Sequence, residues 1–128
     1  MEKMMNFFRN DKFSGHVGIE LIEVSEGKAK AKMKIKEHHL NSMGTVHGAA
    51  LFALADLVFA VASNSHGTIA MAINAHISYL KAVRKGFLWA EGKEMSLNPK
   101  LATYTIHIRD DNNDLVAIFQ GMVYRKTN

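Results

Sequence analysis

The sequence predicts an α+β domain in which one long antiparallel sheet curls around one covered helix. Residues 49–62 are apolar apart from Asp56, and a helix with no polar face has to be wrapped on most sides. Lys28, Lys30, Lys32, Lys34 and Lys36 alternate with Ala29, Ala31, Met33 and Ile35, a period of two that gives a strand one wet and one buried face. Beyond the apolar helix, β-compatible runs follow one another across short turns with no second helical pattern between them.

The elements follow in order. Met4, Phe7 and Phe8 stand at helical spacing and predict a short N-terminal helix, after which Gly15 and Gly18 break the chain. Residues 18–24 read as a strand and 25–27 as a turn. The lysine strand covers 28–36, and a polar loop covers 37–45. One helix is predicted over 46–64, rich in Ala and Leu, with Gly67 as its stop. Strands are expected over 68–80, 87–96, 102–109 and 115–125. The run Asp110-Asp111-Asn112-Asn113-Asp114 forms the turn before the last of them. About six strands and one central helix in 128 residues make a single domain, 1–128.

Composition narrows the chemistry. The chain has no cysteine, which removes disulfides, thiolate metal sites and cysteine nucleophiles. The N-terminus carries charges throughout and lacks the apolar run of a signal peptide. The apolar stretch 49–62 is shorter than the roughly 20 residues a membrane span needs. A cytoplasmic protein without a membrane partner is expected. The net charge of +4 and the five alternating lysines raise the question of an anionic partner. No aromatic residue is interleaved along that strand to stack bases. The lysines therefore read as a solvent face whose charge discourages aggregation, and no nucleic-acid partner is expected. The seven histidines show no metal-ligand spacing, and no G-x-S-x-G element marks a serine nucleophile.

Asp56 is the residue that draws attention to a reaction. A carboxylate in the middle of an apolar helix, with no Lys or Arg three or four positions away, is a candidate for acid or base work. Burial would raise its pKa. The helix start, Thr45-Val46-His47-Gly48, adds free backbone N–H groups and a favourable dipole for developing negative charge. Gly48 lets a substrate come close to the backbone. Eight residues separate Gly48 from Asp56, a rise of about 12 Å along the axis. One reacting carbon cannot touch both groups. If both act in one reaction, they come from two chains related by a two-fold axis, which predicts an obligate dimer with its sites at the interface.

Asn41-Ser42-Met43-Gly44-Thr45-Val46-His47-Gly48-Ala49-Ala50, followed by Leu54-Ala55-Asp56, resembles the signature of hotdog-fold thioesterases of the phenylacetic-acid-degradation (PaaI-like) type. That pattern is N-x-x-G-x-x-H-G-G with an Asp eight residues after the first Gly of H-G-G. Here Ala49 replaces the second Gly. Ile77-Ser78-Tyr79-Leu80, Gly86 and Leu115-Val116-Ala117 fall where the family places later strands, so the resemblance spans nearly the whole chain. It implies hydrolysis of an acyl- or aryl-acyl-CoA thioester, with coenzyme A as part of the substrate and no other cofactor. It further implies that Asp56 acts as general base or nucleophile and that Gly48 offers its N–H to the thioester oxygen. Asn41 and His47 would orient the carbonyl or the water. A homodimer, or a dimer of dimers, is implied as well. Ala72 and Ala82 stand where the family often has a hydroxyl residue and Pro. Coenzyme A carries phosphates, and Lys81, Arg84 and Lys85 are the expected contacts. Two other classes compete: a dehydratase or hydratase of the same fold, whose histidine loop differs, and a non-catalytic acyl-CoA-binding module.

Overall fold

The computed structural model describes residues 1–127. Helices α1 (Glu2–Arg9) and α2 (Lys12–Val17) lead into strands β1 (Ile19–Ser25) and β2 (Lys28–Lys34). A single 3-10 turn (Glu37–His39) and a loop precede the central helix α3 (Gly48–Asn64). Strands β3 (Ala70–Tyr79), β4 (Phe87–Leu97), β5 (Leu101–Arg109) and β6 (Leu115–Arg125) complete one antiparallel sheet of order β1-β2-β4-β5-β6-β3. The sheet curves around α3, as the apolar helix required.

The lysine alternation holds in the register. Ala29, Ala31 and Met33 are buried beneath the helix while the lysines point outward. The outer face differs from expectation in one respect. Strand β4 sets Trp89 opposite Lys32 and Phe87 opposite Lys34, and the Lys32 ammonium lies 5.6 and 5.7 Å from the Phe87 and Trp89 ring centroids. Aromatics missing along the lysine strand are supplied by its neighbour.

Helix α3 buries Leu51, Leu54, Ala55, Val58, Phe59 and Ala62. It approaches the sheet closely because Gly92 of β4 has no side chain: a Cβ there would lie 2.6 Å from Val58 Cγ1. On the opposite side runs a stripe of Ala49, Ala53, Asp56 and Ala60, exposed or half-buried. The helix begins at Gly48 and not at residue 46, because Val46 pairs with Leu40 in a β-bridge and donates to the Val83 carbonyl.

One other expectation changes, and one strand departs from the pattern of the rest. Gly15 does not break the chain. It lies inside α2, whose N-cap Asp11 accepts from the Ser14 N–H at 3.0 Å and whose end is closed by Gly18 at φ 94°. Strand β3 shows no buried face: from Met71 to His76 every residue is exposed, Ile73 at 57%. It is an edge strand paired only with β6. Among the described residues no helix is long and apolar enough to cross a membrane.

Candidate active site

The loop before α3 is folded by Asn41. Its side-chain oxygen accepts from the Met43 and Thr45 N–H groups at 2.9 and 3.2 Å, and its amide nitrogen donates to Thr45 Oγ1 at 3.0 Å. Its backbone closes the same loop onto Thr45 and Gly44. Asn41 thus commits its carbonyl oxygen to the loop that delivers His47 to the helix start.

His47 is the N-cap. Its Nδ1 accepts from the Ala49 N–H at 2.9 Å, so the ring proton sits on Nε2 and is presented outward as a donor. The Ala50 and Leu51 N–H groups both bond to the His47 carbonyl. Of the first four N–H groups of α3, only that of Gly48 has no partner among the described residues. A free N–H at the positive end of a helix dipole suits a developing oxyanion.

Asp56 lies two turns further on, about 12 Å along the axis and about 80° around it. It is exposed in the single chain, not buried, because the outer stripe of α3 has no cover there. Its pKa is nevertheless raised above the usual Asp value, first by desolvation from the surrounding protein and then by the negative charge of Asp11. Gly48 and Asp56 of one chain do not converge on a common point. Concavities of about 660 and 500 Å³ lie elsewhere, on the outer face of the sheet around Trp89 and beneath α1.

The three basic residues separate. Lys81 is held by two carboxylates of the β5–β6 turn, Asp110 at 2.5 Å and Asp114 at 2.7 Å, and this pairing depresses the Asp110 pKa. Lys81, one of the three expected phosphate contacts, thus has its ammonium shared with these two carboxylates. Arg84 donates to the Met43 and Gly44 carbonyls at 3.3 Å each, which places a cation against the site loop. Lys85 is exposed and makes no ion pair among the described residues. No group of three or more His, Cys, Asp or Glu side chains able to hold a metal is found among the described residues.

Sequence reasoning missed one residue at the site. Tyr79, at the end of β3, donates its hydroxyl to the Gly48 carbonyl at 3.2 Å. The two are 31 positions apart, and no local pattern links them.

Residues 43–117 match the family model of the thioesterase superfamily. A protein from Archaeoglobus fulgidus is 44% identical over 119 residues, covering 92% of this chain and 77% of the relative. The acyl-coenzyme A thioesterase PaaI of Escherichia coli is 34% identical over 122 residues, covering 92% of this chain and 85% of its own length. The solved structure of the Escherichia coli PaaI protein superposes with a TM-score of 0.91 at 31% identity, covering 96% of this chain and 90% of that one. A mutant of the phenylacetic acid degradation protein PaaI from Thermus thermophilus gives 0.87 at 33%, covering 91% and 100%. The long central helix wrapped by six strands is the hotdog arrangement these structures share.

Proposed function

The chain belongs to the thioesterase superfamily, and from that footing we propose that it hydrolyses an acyl- or aryl-acyl-CoA thioester to the free acid and CoA. The observation that carries the proposal is the unpaired Gly48 N–H at the start of α3, on a helix that also bears the exposed carboxylate of Asp56.

In the proposed reaction Asp56 acts as general base or as nucleophile. As base it takes a proton from water while the water oxygen bonds to the thioester carbon. The carbonyl electrons move onto oxygen, which accepts a hydrogen bond from the Gly48 N–H. The tetrahedral species collapses, the C–S bond breaks, and the thiolate recovers the proton from Asp56. His47 offers its outward Nε2–H to the carbonyl or the water. Asn41 acts through the loop that positions His47. Arg84 and Lys85 meet the CoA phosphates.

Geometry asks for a second copy. The two groups are about 12 Å apart along one helix, so the proposed site takes Asp56 from one protomer and Gly48 from the other. The open edge of β3 and the uncovered alanine stripe beside Asp56 supply a surface for that pairing. A dimer of dimers would then use the outer face of the sheet, where Ile22, Trp89 and Met95 are exposed around a concavity of about 660 Å³. A cytoplasmic setting suits a chain without cysteine.

The test is release of thiol from a panel of acyl-CoAs, with Asp56→Asn beside the wild type. The chain has no thiol of its own, so a thiol reagent reads only the product. Turnover that survives in Asp56→Asn would remove Asp56 from the reaction. No turnover on any thioester would favour a binding module.

A further inference from the structure

The peptide unit joining Gly48 to Ala49 is held at both ends by side chains. Its N–H donates to His47 Nδ1 at 2.9 Å, and its carbonyl accepts from the Tyr79 hydroxyl at 3.2 Å. The next unit towards the N-terminus, joining His47 to Gly48, has its carbonyl taken by Ala50 and Leu51 and its N–H free among the described residues. Tyr79 also presses on the residue itself: a Cβ on Gly48 would lie 3.0 Å from Tyr79 Cζ and 3.1 Å from its hydroxyl oxygen. A side chain at position 48 would have to push the ring aside by a few tenths of an ångström.

We infer that Tyr79 is a positioning residue for the oxyanion donor. Its hydroxyl and ring fix the orientation of the Gly48 backbone, and with it the direction in which the unpaired N–H points. The inference rests on the proposed thioester hydrolysis and deepens it. The Gly48 carbonyl already faces along the helix as an acceptor for the α-helical ladder, and its second lone pair is free for the hydroxyl. Tyr79 is half-exposed at the tip of an edge strand, so global packing does not require the bond. What the bond changes is the freedom of the first peptide units of α3, which otherwise fray. A donor aimed at where charge develops gains its effect from being fixed before the reaction starts. Such a residue acts on the transition state and leaves ground-state binding largely alone.

The position also explains the glycine. Gly48 is not at a positive φ, so backbone conformation does not demand it. The Tyr79 ring, in close contact with any Cβ placed there, favours it.

The experiment is steady-state kinetics of the full-length protein on an acyl-CoA that the wild type turns over, comparing wild type, Tyr79→Phe and Asp56→Asn, with thermal melting of each. Tyr79→Phe keeps the ring and removes one hydrogen bond, so kcat is expected to fall about fivefold with KM changed less than about twofold. The melting temperature should stay at the wild-type value. Unchanged kcat in Tyr79→Phe overturns the inference, as does a rise in KM at constant kcat, which would make the hydroxyl a substrate contact. A fall in melting temperature that accompanies the loss of kcat overturns it too, by reducing Tyr79 to an ordinary structural contact. The hydrolase reading fails separately: it falls if the wild type is silent on every thioester or if Asp56→Asn is fully active. A silent wild type takes the inference down with it.

Discussion

Phe59 lays its ring over Gly121 of β6 so closely that a Cβ on residue 121 would lie 2.6 Å from the ring's Cζ. Gly92 stands in the same relation to Val58, and together the two glycines let α3 settle onto the sheet. A methyl at either position forces the helix or its side chains to move. Gly121→Ala and Gly92→Ala are each expected to destabilise the fold by about 1–3 kcal/mol. Urea denaturation would measure this, with the midpoint falling at an unchanged slope.

Asp56 is exposed in the single chain, so its replacement should leave the fold standing while removing the reaction. Asp56→Asn is expected to lower kcat/KM by about 10²–10⁴-fold, the range of a general acid or base. Stability should stay within about 0.5 kcal/mol of wild type, as for other surface changes.

The raised pKa of Asp56 sets a pH dependence. In the proposed reaction the carboxylate is the reactive form, so activity should rise with pH through a value above the ordinary Asp range. Asp11 contributes to the shift by its charge. Asp11→Asn keeps a side-chain oxygen for the α2 cap and removes the charge, so the acid limb of the kcat/KM profile should move to lower pH. For folding, the sign is opposite to that of a salt-bridged acid. The native state holds this proton more tightly than the unfolded chain, so stability falls as pH rises from the unfolded pKa through the native one. That decline should be absent in Asp56→Asn.

A shared site has a complementation signature. Gly48→Pro removes the free N–H at a helix position that tolerates proline, with Tyr79 giving way slightly. Each of Gly48→Pro and Asp56→Asn should be inactive alone. Unfolding and refolding an equal mixture should restore roughly a quarter of wild-type activity, because half the dimers are mixed and each carries one intact site of two. No recovery would place both groups in one chain.

The basic residues should divide in function as they do in contacts. Lys81→Ala is expected to lower the melting temperature more at low salt than at high salt, since it loosens the Asp110–Asp114 turn. It should leave the KM for CoA thioesters unchanged. Arg84→Ala and Lys85→Ala are expected to raise that KM several-fold, as about one or two lost phosphate contacts would. Shortened thioesters lacking the nucleotide should be indifferent to both.

Much of this architecture was legible because it is local. The Lys/Ala alternation of β2 fixes which face is buried, and the last strand coincides with its expected span, Leu115–Arg125. Gly48 stands out by its place at the helix start, whereas Asn41 and His47 are singled out by the motif resemblance; in the structure Asn41 folds the loop and His47 caps the helix. What escaped depends on residues distant in sequence. Nothing near Lys81 in the chain hints that Asp110 and Asp114 will reach it. Gly92 and Gly121 look like weak points in strands until α3 is laid across them. Asp56 was expected to be buried because its helix is apolar all round. In one chain it is exposed, since part of that apolar surface has nothing against it. Gly15 reads as a breaker because glycine is a poor helix former, yet the Asp11 cap and the Gly18 closure carry the six residues of α2 past it.

The sheet order has a consequence for how the chain is made. Strand β3 comes third in sequence but last in the sheet, and its one neighbour is the final strand, β6. During synthesis β3 therefore has no partner until the last segment emerges, and Tyr79, which it carries to the tip of α3, cannot be placed before then. The tip of the helix is completed late, by a pairing of high sequence separation, which is the slow kind. Until that moment the nascent chain presents an apolar helix and an unpaired strand together, the combination most prone to misassociation.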